Sequence, residues 1–261
     1  MSDDVILRED RGPVAVLTLN EPARMNPFSD ALREGLLNQL AAVMADAAVR
    51  VLILTGAGGQ FSAGADVRQM RAADGPDPLR SRRRLAVLQN IVRQIATGPK
   101  PVIAAVEGVA FGAGLSVVAA CDHVVAAEGA RFGAAFGKIG LAPDCGILWS
   151  LPPRLGLSQT RDLIFTGRSL DADEAHRLGL ADALAEKGGA LAAALAKAES
   201  YLDTAPLSIA ATKAALAELP GGLEQVLALE LHQQPLLSGT ADHVEARNAF
   251  MEKRKPVFQG K

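Results

Sequence analysis

The chain has 261 residues, 49% of them hydrophobic, with a net charge of −2 and aromatics at 4%. That length suits one large domain, or one and a half, with a substantial core. The slight negative charge and scarce aromatics argue against a nucleic-acid partner. Cys121 and Cys145 show no pairing or metal spacing, which points to a reducing compartment. The N-terminal MSDDVILRED has no apolar core, and no stretch reaches membrane-spanning length. The expected setting is cytoplasmic, with no membrane partner.

In chain order, VAVLTL (14–19) and RVLILT (50–55) read as strands, the second ended by GAGG. Between them Ser29 is placed to N-cap a helix whose apolar face carries Leu32, Leu36, Leu40 and Val43. A second helix covers about 80–96 and stops at Gly98-Pro99. VIAAV (102–106) is a strand, GVAFGAG a glycine-rich turn, LSVVAACD a short buried helix, and HVVAA (123–127) another strand. Strands alternating with helices predict an α/β fold of parallel βαβ units covered on both faces. After about residue 145 the texture turns helical. Asp171 caps DADEAHRLG, with Glu174 at the capping-box position, and Ala-rich helices follow at roughly 189–203, 206–218, 223–237 and 241–254.

Several motifs fail. GAGGQF lacks the third glycine of a dinucleotide fingerprint, and no phosphate-loop GK[ST] occurs. Ser62 lacks the flanking glycine of a nucleophile elbow. His123, His176, His232 and His243 show no metal spacing, so no metal is expected. His123 borders a strand and the other three sit on exposed helix faces. Cys145 reads as a buried structural thiol.

Two turns, FSAGAD (61–66) and FGAGLS (111–116), pair more productively. In each, a residue beside a glycine can present a free amide where a helix begins: Ala65 and Ala113. Two such donors on one oxygen make an oxyanion hole. Two tight strand-to-helix turns would use the same glycines. Asp144, in IGLAPDCG, is a carboxyl among small and apolar residues. A Pro-Asp pair before an apolar run also makes a helix N-cap, worth about 0.5–2 kcal/mol. A cap and a base are not exclusive.

The segments LNEPARMNPFS (19–29), FSAGADV (61–67), PVIAAVEGVAFGAG (101–114), AACDHVVAAEGARFG (119–133), TGRSLDADEAHRLGL (166–180) and AFMEKRK (249–255) resemble the crotonase, or enoyl-CoA hydratase/isomerase, superfamily, nearly end to end. The resemblance implies a repeated ββα core over 1–200 and a helical C-terminal trimerisation region over 201–261. It also implies a homotrimer or a hexamer built as a dimer of trimers. The implied substrate is an acyl-CoA thioester, as in fatty acid metabolism, with no cofactor beyond the CoA it carries. By the same resemblance Ala65 and Ala113 supply the oxyanion amides. Arg24, Ala63, Asp66, Phe250 and Lys253 line the substrate, Lys253 often from a neighbouring subunit. RSRRR (80–84) is a further cationic candidate, although such runs are commonly solvated helix faces.

The departures are informative. The two glutamates of the hydratase pattern fall on Ser116 and Phe136. Water activation and proton delivery need ionisable groups that this pair lacks. Asp144 falls where isomerases of the peroxisomal and phenylacetate-pathway types carry a single base. One carboxylate suffices for a 1,3-proton shift, from C2 of a 3-enoyl thioester to C4, and Phe136 would dry the pocket. The resemblance therefore favours an isomerase with Asp144 as base, Ala65 and Ala113 as oxyanion donors, and Ser116 and Phe136 as substrate-facing walls. Hydratase, dehalogenase and C–C lyase chemistry stay open, as does a non-catalytic acyl-CoA binder. The dehalogenase pattern's helix histidine falls on Gln89.

Overall fold

A computed structural model describes residues 4–66, 68, 77–218 and 222–261; the first three residues of the N-terminal segment and Val67 of FSAGADV lie outside them. The chain opens with an antiparallel pair, β1 (Ile6–Arg11) and β2 (Val14–Leu19). Helix α1 (Asp30–Ala45) then begins where Ser29 Oγ accepts the Leu32 amide, and it buries Leu32, Leu36, Leu40 and Val43 as their spacing predicts. Next come β3 (Val51–Gly56), α2 (Pro78–Thr97), β4 (Val102–Val106), β5 (Val109–Phe111), α3 (Ala113–Ala120), β6 (His123–Ala127) and β7 (Arg131–Gly133). A 3-10 turn at Ala135–Ile139 leads to α4 (Ile147–Thr166), β8 (Ser169–Asp171), α5 (Ala172–Leu178) and β9 (Ala183–Ala185). Helices α6 (Ala190–Leu202), α7 (Pro206–Ala217), α8 (Leu223–Ser238) and α9 (Ala241–Glu252) complete the chain.

The main sheet runs β1-β2-β3-β4-β6-β9 and is parallel from β2 onward; β5-β7-β8 form a smaller second sheet. Successive side chains of a strand point to opposite faces. Accordingly Ala15, Leu17, Leu52 and Leu54 join the core with α1, α2 and α3. Val14, Val16, Val51, Ile53 and Ile103 pack instead with Ala190, Ala194 and Ala198 of α6. Both faces are covered, as the apolar strands predict.

Two sequence expectations need correction, and one strand is not anticipated by the sequence. Residues 109–111, read as turn, are a strand, and β7, β8 and β9 are equally short. Three-residue strands show no period to detect. β1 escapes a reading by apolar pattern because its sequence, ILREDR, is that of a charged edge strand. At α5, Asp171 Oδ1 accepts the Glu174 amide at 2.8 Å, but the Glu174 carboxylate turns to Arg168 at 3.0 Å. The cap forms without the reciprocal half of the box.

The C-terminal helices are tied to the core by a buried cation. Lys213 of α7 donates to the Lys100 carbonyl at 2.8 Å and pairs with Asp122. Among the described residues no helix is long and apolar enough to cross a membrane.

Candidate active site

The two glycine turns are sewn into one ladder. Ser62 donates its amide to Val109 O at 2.8 Å, and Phe111 donates back to Ser62 O at 3.0 Å. The first turn is braced from behind by the consecutive left-handed residues Met25 and Asn26. Asn26 Nδ2 donates to Ala57 O and Gln60 O, and Asn26 O accepts from Ser62 Oγ at 2.7 Å. The Ala63 amide donates to Met25 O at 2.8 Å. Phe28 donates to Gly64 O at 2.7 Å and pairs with Ala65.

Gly64 is where the turns touch. Its φ of +92° suits glycine, and a Cβ there would lie 2.5 Å from Phe111 O and 3.4 Å from the Ala113 amide nitrogen. Ala65 follows Gly64, and Ala113 is the first residue of α3, where helix amides have no intrahelical acceptor. Among the described residues, no hydrogen bond engages either amide. Two unengaged donors on touching turns, one at the positive end of a helix, can hold a developing oxyanion.

Asp144 lies on the loop that enters α4. It does not cap that helix: the N-cap is Gly146, and no side chain caps it. Cys145 and Gly146 both have positive φ, at 53° and 74°, a sharp reversal that separates Asp144 from the helix. Its backbone carbonyl accepts Ile147 N at 3.2 Å and Ser116 Oγ at 3.2 Å. Of the carboxyl oxygens, Oδ1 is buried with no donor among the described residues, while the Cys145 thiol donates to the carboxyl. Burial raises the carboxyl's proton affinity, while the neighbouring Cys145 thiol works against the rise. A carboxyl held in this state is suited to take a proton rather than to anchor structure.

Ser116 therefore stands one helical turn after Ala113 and touches the Asp144 backbone, so α3 links the amide donor to the acid. Phe136 is buried at 5% exposure, an apolar wall where the hydratase resemblance would place a carboxyl. Cys145 is buried too, its thiol pushed up by burial and then by Asp144. Among the described residues no group of three or more His, Cys, Asp or Glu could hold a metal.

The expected CoA contacts are more mixed. Arg24 is engaged by acids: Nη1 donates to buried Asp66 at 2.7 Å and Nη2 to Glu21 at 2.8 Å. Asp66 also accepts the Arg68 amide at 3.1 Å, leaving it a structural role at the end of the first turn. Arg24 is thus neutralised locally, and Asp66 is a brace. Phe250 and Lys253 lie at the end of α9, both exposed, and among the described residues no backbone hydrogen bond ties them to Ala65, Ala113 or Asp144. Arg68 is exposed, and Arg80 and Arg84 of RSRRR pair with Asp30. Asn26, Ser62 and Arg33 do not stand out as site residues in the sequence. Arg33 has a legible signal, a charge set between Leu32 and Leu36 on an apolar face.

A groove of about 1260 Å³ lies at the far end of α3, lined by residues including Ala119, Trp149, Leu157 and Ile209. It does not contain Ala65, Ala113 or Asp144.

Residues 9–261 match the family described as enoyl-CoA hydratase/isomerase. The chain is 36% identical to a 1,2-epoxyphenylacetyl-CoA isomerase of Escherichia coli K12, covering 100% of both chains. It is 34% identical to a 2,3-dehydroadipyl-CoA hydratase of the same organism, again over 100% of both. A crystal structure of an enoyl-CoA hydratase from Bacillus anthracis superposes with a TM-score of 0.92 at 31% identity, covering 98% of this chain and 100% of that one. With its fold, its paired glycine turns and its full-length matches in agreement, this chain belongs to the enoyl-CoA hydratase/isomerase family.

Proposed function

We propose that the protein shifts the double bond of an enoyl-CoA thioester by a single-base mechanism. The thioester oxygen sits between the Ala65 and Ala113 amides. Asp144 removes a proton from C2 of a 3-enoyl chain, and the electrons pass to the oxygen as an enolate. The same carboxyl returns the proton at C4, which moves the double bond to C2–C3. The carrying observation is that Asp144 presents a buried carboxyl oxygen without a hydrogen-bond donor beside the helix that begins at Ala113. Oxyanion donors are typically worth about 2.7–4 kcal/mol each and a positioned base about 10²–10⁴ in rate. Relatives carry both hydratase and isomerase names. Ser116 and Phe136 favour the isomerase, because neither can activate water.

The decisive assay follows 3-enoyl-CoA in heavy water. The expected result is 2-enoyl-CoA with partial retention of the original hydrogen, and a loss of roughly 10²–10⁴ in turnover for Asp144→Asn with thioester affinity kept. Rapid water addition to 2-enoyl-CoA by the wild type would overturn the isomerase. Undiminished turnover by the variant would overturn the role of Asp144. We further propose assembly as a homotrimer or hexamer through the C-terminal helices. Large apolar side chains exposed on one chain, among them Leu231, Phe250 and Met251, support that reading. Light scattering tests it, and a monomer would sink it.

A further inference from the structure

Cys145 stands where the backbone favours glycine. Its φ of 53° lies in the left-handed region and Gly146 follows at 74°, so a side chain kept at 145 calls for a reason. That side chain is 1% exposed and joins the same core as Phe136 and Ile147. There the thiol meets the carboxyl of Asp144, the residue before it, and donates to it. The Asp144 backbone is held separately, its carbonyl accepting Ser116 Oγ and Ile147 N, each at 3.2 Å. Among the described residues the thiol is the one side chain that engages the carboxyl, and Oδ1 is left buried without a donor.

The pair is chemically one-sided. Burial and the adjoining carboxyl keep the proton on sulfur, so Cys145 serves as a donor and leaves the substrate's proton to Asp144. Burial favours the protonated form of Asp144, which cannot act as a base, and the thiol opposes it by favouring the carboxylate. On the neighbouring elements, Arg33 of α1 is the cation that reaches the sulfur, while Ser116 of α3 and Val92 of α2 are uncharged. Among the described residues no charged group acts on the Asp144 carboxyl.

We propose that Cys145 is the positioning residue for the base: its thiol holds one oxygen of the Asp144 carboxyl and reserves the other, Oδ1, for the substrate's proton. The inference rests on the reading of Asp144 as the proton carrier. A weak donor suits this task, because an ion-pairing partner would stabilise the carboxylate so far that it takes a proton from carbon poorly.

The infrared S–H stretching band reads the contact without turnover. A thiol donates more strongly to a carboxylate than to a carboxylic acid. The wild-type Cys145 band should therefore move to lower frequency as pH rises through the titration of Asp144. Its loss in Cys145→Ala, which keeps Cys121, assigns the band, and in Asp144→Asn it should stand still across pH. Turnover of 3-enoyl-CoA gives the second readout. Cys145→Ala should move the acid limb of kcat upward by roughly 0.5–1 pH unit, and Cys145→Ser, which restores a donor, should return it to the wild-type position or below. A wild-type band indifferent to pH would overturn the proposal. So would an acid limb left in place by Cys145→Ala, or alanine and serine variants with the same profile; each would make Cys145 a filler of the core. If the Cys145 variants do not fold, the wild-type and Asp144→Asn spectra decide. Full turnover in Asp144→Asn would overturn the base itself, a failure that the spectra distinguish from the absence of the thiol contact.

Discussion

Ser116 Oγ donates to the backbone carbonyl of Asp144 across 3.2 Å, joining the first turn of α3 to the loop that carries the acid. Ser116→Ala removes that tie and leaves the Ala113 amide in place. A neutral hydrogen bond is worth about 1 kcal/mol net, which corresponds to several-fold in rate. Turnover should fall roughly 3- to 10-fold with thioester affinity nearly constant. Steady-state kinetics beside equilibrium binding reads the split.

The pH dependence of turnover should show an acid limb above the ordinary carboxylate value of 3.8, because burial raises the Asp144 pKa and a base must be ionised to act. Stability carries the opposite sign. A carboxyl whose folded pKa lies above its unfolded one stabilises the fold below the unfolded value, and that contribution is lost as pH rises through the folded value. Asp144→Asn should therefore unfold later than wild type at neutral pH. The gain should vanish in acid. Calorimetry across pH checks both ends.

Gly64→Ala tests the contact between the turns. The new Cβ would meet Phe111 O at 2.5 Å in a backbone conformation with φ +92°, so the Ala65 and Ala113 amides must separate. Loss of one oxyanion donor corresponds to roughly 10²–10³ in kcat. Exchange of the C2 hydrogen with heavy water, a direct readout of enolate formation, should fall by that factor. Exchange at the wild-type rate would show that the turns are not the oxyanion hole.

Lys213→Met strands Asp122 without its cation. Removing one partner of a fully buried pair costs about 3–5 kcal/mol. The Asp122 side chain keeps 29% exposure, so a smaller loss, about 2–3 kcal/mol, is expected. Denaturant unfolding measures it, and the double variant Lys213→Met with Asp122→Asn should recover part of the loss.

Both thiols should resist alkylation in the native state. Burial pushes Cys121 up to about 12 and Cys145 higher still, so almost no thiolate forms at neutral pH. Iodoacetamide should modify neither cysteine until the protein unfolds, as mass spectrometry would show.

Much of this arrangement is legible in the residues alone. The helix face of Leu32, Leu36, Leu40 and Val43 and the strands 102–106 and 123–127 follow directly from apolar period and run length. The two glycine turns are legible as turns because Gly64 and Gly112 take positive φ, which favours glycine. What escapes depends on distant partners. The capping alternative for Asp144 fails because positive φ at Cys145 and Gly146 moves the helix start onward, which the Pro-Asp pair does not reveal. Arg24 looks like a free cation until folding sets Asp66, 42 positions later, against it. The three-residue strands β5, β7 and β8 exist only because they pair with one another.

The parallel bridge of Ser62 and Ala110 joins the two glycine turns, whereas Asp144 arrives on a different piece of chain after Phe136. Under the proposed mechanism, anchoring and reactivity are thus physically divisible. A relocation of the carboxyl changes which bond is made or broken while the thioester stays clasped, so new chemistry can be tried without relearning how to hold the molecule.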